Sequence, residues 1–250
     1  MTPQILQIPR NIYIIDDNRE LAEDLRDRIV DMDFNPRLII DGHYKFVPNL
    51  LDEIEKGDCG VLCDHRLQHG RLAEFYGSQL VAALYDLKLP ALLLTQFSEQ
   101  DVDTTIRKYR RKIPSLIARS EIDDNAILEG LSKCIKELNG DFSDGREPHR
   151  CLIEINYIDQ DGDDVVVDAF IPAWRSASAV RFPVELMGLG AEERIRKGLQ
   201  ESEDGIIHIF AEVNIGADIS DEFYFENFEW PNNTNESALG SFLSSMDVRE

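Results

Sequence analysis

The chain is predicted to open with a doubly wound α/β domain built on a five-stranded parallel sheet, followed by a β-rich α+β domain. Three observations carry this reading. Residues 1–138 alternate short apolar runs with longer segments of helical spacing, five times in succession. Beyond a polar stretch at 139–149 the pattern changes to period-two alternation. Charge changes at the same place: residues 1–140 hold 18 basic and 24 acidic side chains, residues 141–250 hold 8 and 24. Repeated strand-then-helix units imply parallel strands covered by helices on both faces, which is why the strands themselves read as near-continuous apolar runs.

The strands of the first half are expected at 12–15, 37–40, 59–63, 90–94 and 115–118, each rich in Ile, Val or Leu. Helices are expected between and after them. The first, 19–31, places Leu21, Leu25, Ile29 and Val30 on one face, and the others span about 46–56, 72–87, 99–111 and 124–138. The segment "NGDFSDGREPH", 139–149, carries two glycines and a proline and reads as a linker after a first domain at 1–138. In the second domain, 150–230, strand-like segments occur at 151–158, 165–171, 206–215 and 222–230, with one amphipathic helix at 191–200. An antiparallel sheet or a sandwich fits them. The polar end, 231–250, is expected to be a flexible tail. "DQDGDD", 159–164, begins like a calcium loop, but the twelfth position of that loop is Phe170 rather than Glu. Asp-Gly between two strand-like runs favours a hairpin turn.

Composition excludes several classes. A net charge of −22 argues against a nucleic-acid partner, since phosphate binding needs a basic surface. No apolar run reaches the roughly 18 residues of a membrane span. The first residues show no basic stretch leading into an apolar one, so no signal peptide is expected and the location is read as cytoplasmic. Cys59, Cys63, Cys134 and Cys151 form no CxxC pair, which fits reduced thiols better than a disulfide framework or a zinc site.

Doubly wound sheets bind ligands outside the carboxyl ends of their strands. There the first strand ends in Asp16 and Asp17, the third in Asp64, the fourth in Thr95 and the fifth in Arg119. Three close carboxylates repel unless a cation joins them. Hard oxygen ligands favour Mg2+, which keeps several waters and takes few protein carboxylates. With such a cation an anionic phosphoryl donor can approach an aspartate nucleophile, and Thr95 and Arg119 can neutralise the new phosphoryl oxygens.

In their order and spacing, "IYIIDDN", "GVLCDHRL", "LPALLLT" and "SLIARS" resemble the receiver (CheY-like) domain of two-component response regulators, over about residues 10–138. The resemblance implies a flavodoxin-like fold and a phosphorelay protein that is a switch rather than an enzyme. It implies that Asp64 is the phosphoacceptor, that Asp17 ligates Mg2+ directly with Asp16 beside it, and that the Arg66 backbone carbonyl is a further ligand with Asp64. It implies that Thr95 senses the phosphoryl group and that a histidine kinase or phosphotransfer protein donates it. Such domains commonly dimerise or bind partners through their fourth helix and fifth strand. The basic run "IRKYRRK", 106–112, is therefore either a docking face for a homodimer or acidic partner, or a solvated helix face.

Four departures from the family pattern stand out. Arg119 followed by Ser120 replaces Lys-Pro, Gln96 replaces a small residue after Thr95, Leu116 occupies the position of the switch aromatic, and the loop after Asp64 is longer. Arg is a planar fork rather than a point charge, so the exchange at 119 is not neutral. His65 and His69 in that loop are read as solvated rather than metal-ligating, and His208 farther on as exposed or structural. Nothing in the acidic second half matches a DNA-binding or catalytic output, which points to an unidentified protein partner as the output. The alternative is a pseudo-receiver scaffold or phosphate sink with little phosphorylation-dependent output.

Overall fold

The computed structural model describes residues 8–96, 101–174 and 178–231. The chain divides into two compact units between Arg146 and Glu147.

In the first unit the strands are β1 (Asn11–Ile15), β2 (Asn35–Ile39), β3 (Cys59–Asp64), β4 (Ala91–Thr95) and β5 (Ser115–Ala118). All are parallel, in the order β2-β1-β3-β4-β5. Because side chains alternate across a sheet, the strands divide their apolar residues between two cores. Tyr13, Ile15, Val61, Cys63 and Leu93 face one side, packed with Leu50 of α2 (Val47–Leu51) and Leu80 and Leu84 of α3 (Gly77–Asp86). Ile12, Ile14, Leu62, Leu92 and Leu94 face the other, against α1 (Arg19–Asp31) and α4 (Asp124–Leu138). Burial on both faces explains why these strands read as unbroken apolar runs.

Local signals set the helix starts. Asn18 caps α1 by accepting from the N–H groups of Glu20 and Leu21 at 3.1 and 3.3 Å. Asp123 caps α4 through the Ala126 N–H at 2.7 Å. The expected face of α1 is corrected: Ala22, Leu25 and Ile29 are its buried residues, and Val30 is 52% exposed. The second helix is shorter than expected. After Leu51 the Glu53 and Ile54 N–H groups bond three residues back, tightening the chain into turns that drop Ile54 into the core. The third begins at Gly77 rather than 72, because Leu67, Leu72 and Phe75 of the preceding loop are themselves core residues and Tyr44 pairs with that loop.

The fourth helical stretch overturns the sequence reading most. Residues 99–100 lie outside the described residues. Val102–Ile106 is a π-helical turn and Arg107–Lys112 a 3-10 turn. These changes of winding turn Arg107 and Arg110 inward, where both are buried. Arg107 pairs with Asp103 at 3.1 Å, and the Arg110 guanidinium donates to the Ile113 carbonyl. Lys112 pairs with Asp86 at 2.7 Å. "IRKYRRK" is therefore neither a fully solvated face nor a continuous basic docking face.

The segment 139–149 is not a free tether. The buried Arg146 pairs with buried Glu137 through its Nε and NH2 groups at 3.0 and 2.9 Å, and donates to the carbonyls of Arg110 and Arg111 at 3.1 and 2.6 Å. Its end, His149, already belongs to the next strand.

The second unit is a single antiparallel sheet, β10-β9-β6-β7-β8, formed by β6 (His149–Asp161), β7 (Asp164–Phe170), β8 (Val180–Pro183), β9 (Ile207–Val213) and β10 (Phe225–Glu229). Helix α5 (Ala191–Glu201) contributes Ala191 and Ile195 to a core with Ile153, Val167, Phe182 and Ile209. A sheet covered by one helix, not a sandwich, is formed among the described residues. The short strand β8 was not expected; four residues ending in proline carry too little alternation to show. "DQDGDD" is the expected hairpin: Asp161 pairs with Asp164 around Gly162, whose φ of +60° suits glycine. His208 is half-buried, 3.7 Å from Glu154. Beyond Pro231 the expected tail lies outside the described residues.

Candidate functional site

Strand order 2-1-3-4-5 places its switch point between β1 and β3, where a crevice opens at the carboxyl ends. A cavity of about 570 Å³ lies there, with Asp16, Asp17, Asp64, Arg66, Thr95 and Arg119 among its lining residues. Each predicted site residue is thus at one place, although the residues are up to a hundred positions apart in sequence.

Oxygens of Asp16, Asp17 and Asp64 lie within 4.8 Å of one another. Asp16 is buried; it accepts the Asn18 N–H at 2.8 Å and the Arg119 guanidinium. Burial pushes its carboxyl above the ordinary value, against the pull of Arg119 and the Asn18 N–H, while Asp64 adds to the rise. Asp64 accepts Arg119 Nε and NH2 at 3.1 and 2.7 Å on Oδ1, and the Arg66 N–H at 2.8 Å on Oδ2. Asp17 accepts the Gly70 N–H. Burial works against the charge on Arg119, but Asp64 and Asp16 outweigh it and raise its pKa.

This donor set fits a hard divalent cation. Three carboxylates face one guanidinium, so the group keeps a net negative charge and presents oxygen ligands only. Arg66 lines the cavity as well, and its side chain is held by Asp101 at 2.8 Å. Leu116, on β5, packs against the first core rather than lining the cavity.

Several residues of the site escaped the sequence reading. The longer loop after Asp64 brings Gly70 against Asp17: a Cβ there would come within 2.3 Å of the Asp17 carbonyl oxygen. A Cβ on Gly77 would come within 1.9 Å of the Asp64 carbonyl oxygen, so glycine is required for α3 to start against the end of β3. His65, expected to be solvated, is instead buried, stacked on Tyr76 at 5.1 Å, and bonded through Nε2 to Thr105 Oγ1 at 2.9 Å. Burial pushes its pKa down to about 4, against the opposing pull of Asp101 and Asp64, so the ring is neutral at pH 7. A glycine seven residues before a helix, or a histidine after an aspartate, has no one-dimensional signature of such contacts.

No family model matches the chain, and no curated protein matches it. Solved structures that match about half of the chain include response regulators and a signal receiver domain. The signal receiver domain of an HD-domain-containing protein from Pseudomonas fluorescens Pf-5 is 12% identical, covering 56% of this chain and 97% of that one, with a TM-score of 0.41. A response regulator from Burkholderia pseudomallei, bearing a phosphorylated aspartic acid, calcium and citrate, is 21% identical over 53% of this chain and 72% of its own, with a TM-score of 0.38. The beryllofluoride-activated SdrG from Pseudomonas melonis Fr1 is 19% identical over 52% and 98%, with a TM-score of 0.37. No helix among the described residues is long and apolar enough to cross a membrane.

Proposed function

We propose that this chain is a phosphorelay switch that accepts a phosphoryl group on Asp64 and signals through protein contacts of its second unit. The observation that carries the reading is the convergence of three carboxylates, with oxygens within 4.8 Å, on a crevice bridged by one guanidinium. Asp16, Asp17 and Asp64, with the Arg66 carbonyl, would hold Mg2+. When bound, the ion supplies positive charge that lets two anions meet and stabilises charge on the transferring oxygens.

An Asp64 carboxylate oxygen attacks phosphorus. A P–O bond forms as the P–N bond of a phosphohistidine on a kinase or phosphotransfer protein breaks. The imidazole nitrogen leaves with the bonding pair and takes up a proton, and Asp64 becomes an acyl phosphate. Arg119, already on Asp64 Oδ1, supplies donors to the phosphoryl oxygens, as does the Thr95 hydroxyl at the end of β4. The group is stored rather than turned over on a substrate, so the chain is a switch and not an enzyme. This reading places it in the cytoplasm with its donor. A homodimer through the fourth helical stretch and β5 would use Lys108 and Lys112, since Arg107 and Arg110 point inward.

The scaffold reading draws on a single observation: Arg119 neutralises part of the carboxylate charge by itself. The test is incubation with Mg2+ and acetyl phosphate or beryllofluoride, followed by mass and binding measurements. An adduct in the wild type that is lost in Asp64→Ala supports the switch. No Mg2+ binding and no Asp64-dependent adduct, even with a cognate kinase, supports the scaffold.

A further inference from the structure

The two residues after the acceptor strand grip the same stretch of chain. His65 Nε2 bonds Thr105 Oγ1 at 2.9 Å, and Arg66 places Nε and NH2 each 2.8 Å from Asp101 Oδ2. Asp101 and Thr105 are four residues apart, about one helical turn. Thr105 Oγ1 itself lies 3.4 Å from the Asp101 carbonyl, to which it donates, so the oxygen accepts from His65 and the imidazole proton is on Nε2. His65 Nδ1 is buried and has no hydrogen-bond partner among the described residues, so the Thr105 contact is the ring's polar anchor. Ser78 Oγ of α3 donates to the Thr105 carbonyl at 3.0 Å. Arg66 is also bound to the acceptor, through its N–H on Asp64 Oδ2 at 2.8 Å.

The other end of this stretch is held as firmly. Near that end the carbonyls of Arg110 and Arg111 accept from Arg146 at 3.1 and 2.6 Å, and Arg146 is locked by Glu137. Arg146 is the final residue of the first unit. Residues 101–112 therefore run from the acceptor's own neighbours to the point where the chain enters the second unit.

We infer that residues 101–112 form a latch that reports the state of Asp64 to the start of the second unit, with His65 and Arg66 as its positioning residues. The inference rests on Asp64 as phosphoacceptor. Esterifying one Asp64 oxygen turns the other from a carboxylate oxygen into a neutral carbonyl, which weakens the charge-assisted bond from the Arg66 N–H. The added dianion in the same cavity competes with Asp101 for the Arg66 guanidinium. Releasing Asp101 from Arg66 removes one tie between the latch and the end of the acceptor strand, and the shift passes along the turn to the carbonyls held by Arg146.

Hydrogen exchange of the full chain, read by mass spectrometry with and without Mg2+ and beryllofluoride, tests this. In the wild type, beryllofluoride should speed exchange of the amides at 102–112 and 144–150 about fivefold, the factor that one net hydrogen bond is worth. Thr105→Val, which removes the hydroxyl but keeps the branched shape, should show faster exchange without beryllofluoride and still respond to it, because the Arg66–Asp101 contact is intact. Thr105→Ser should restore the slow exchange, and Asp101→Asn, which lacks the charged Arg66 contact, should exchange faster without beryllofluoride and respond little to it. Beryllofluoride bound at Asp64 with no change at 102–112 and 144–150 would overturn the latch and leave the phosphoacceptor reading standing. So would an Asp101→Asn variant that exchanges and responds like the wild type. No Asp64-dependent binding in the wild type would overturn the phosphoacceptor reading and the latch's trigger with it.

Discussion

Arg119→Ala isolates what holds the carboxylate cluster together. Arg119 lies against both Asp16 and Asp64, and its side chain is only 13% exposed. Removing one member of a buried ion pair strands the charge left behind and costs about 3–5 kcal/mol. The cavity mouth admits water, so we take the low end, about 3 kcal/mol, for the metal-free protein at neutral pH. Mg2+ at a hundredfold excess over its dissociation constant returns about 2.7 kcal/mol. In the wild type it returns less, because Arg119 competes for the same oxygens. The deficit of the variant should therefore shrink from about 3 kcal/mol by the difference between the two gains when Mg2+ is added.

The pH dependence has a definite sign. Asp16 already has a folded pKa above the ordinary 3.8, chiefly through burial, and Arg119 restrains that rise. Without Arg119 the folded value climbs further. A raised carboxyl pKa favours the folded state fully below the unfolded value, and this advantage is lost as pH rises through the folded value. The deficit should thus be small near pH 4 and grow toward neutral pH. Urea denaturation of wild type and variant at pH 4.5 and 7.5, with and without Mg2+, measures all four numbers. An equal deficit with and without Mg2+, or one that does not grow with pH, would refute the argument that stranded carboxylates cause it.

Two further outcomes are expected. Arg146→Ala should destabilise the first unit by about 3 kcal/mol in urea melts, because it strands buried Glu137 and two main-chain carbonyls; a loss below about 0.5 kcal/mol, the size of a surface substitution, would mean that 139–149 behaves as a tether after all. His65, with a folded pKa of about 4 against 6.5, should contribute stability that is present above pH 6.5 and lost as pH falls toward 4, up to about 3 kcal/mol over that interval. His65→Phe should flatten this limb between pH 7 and pH 5, and an unchanged slope would remove His65 as its source.

Much of the first unit was legible because its strands are buried on both faces and must be apolar along their length. Cys59–Asp64 and Ala91–Thr95 lie within one residue of the expected bounds, and Asp16, Asp64, Thr95 and Arg119 were located simply as the residues at which those runs end. The helices were less legible, since only one stripe of each is buried. Ala22 replaces the expected Val30 on α1 because an alanine facing a sheet is as buried as any large residue yet gives no periodic signal. In the second unit the long alternating β6 showed plainly, while β8, with four residues, did not.

The sequence by itself determined that four carboxyl-terminal strand ends would carry three acids, a hydroxyl and a guanidinium to one edge, since parallel βα units have no other arrangement. It also determined the hairpin at Gly162, whose turn chemistry is local. Tertiary structure alone decided that a basic run would turn two arginines inward, that Arg146 would close onto Glu137, and that Gly70 and Gly77 would stand where no Cβ fits. Those outcomes depend on close approach between segments far apart in sequence. Spacing along the chain records which residues share a face, but not which distant atom will press against it.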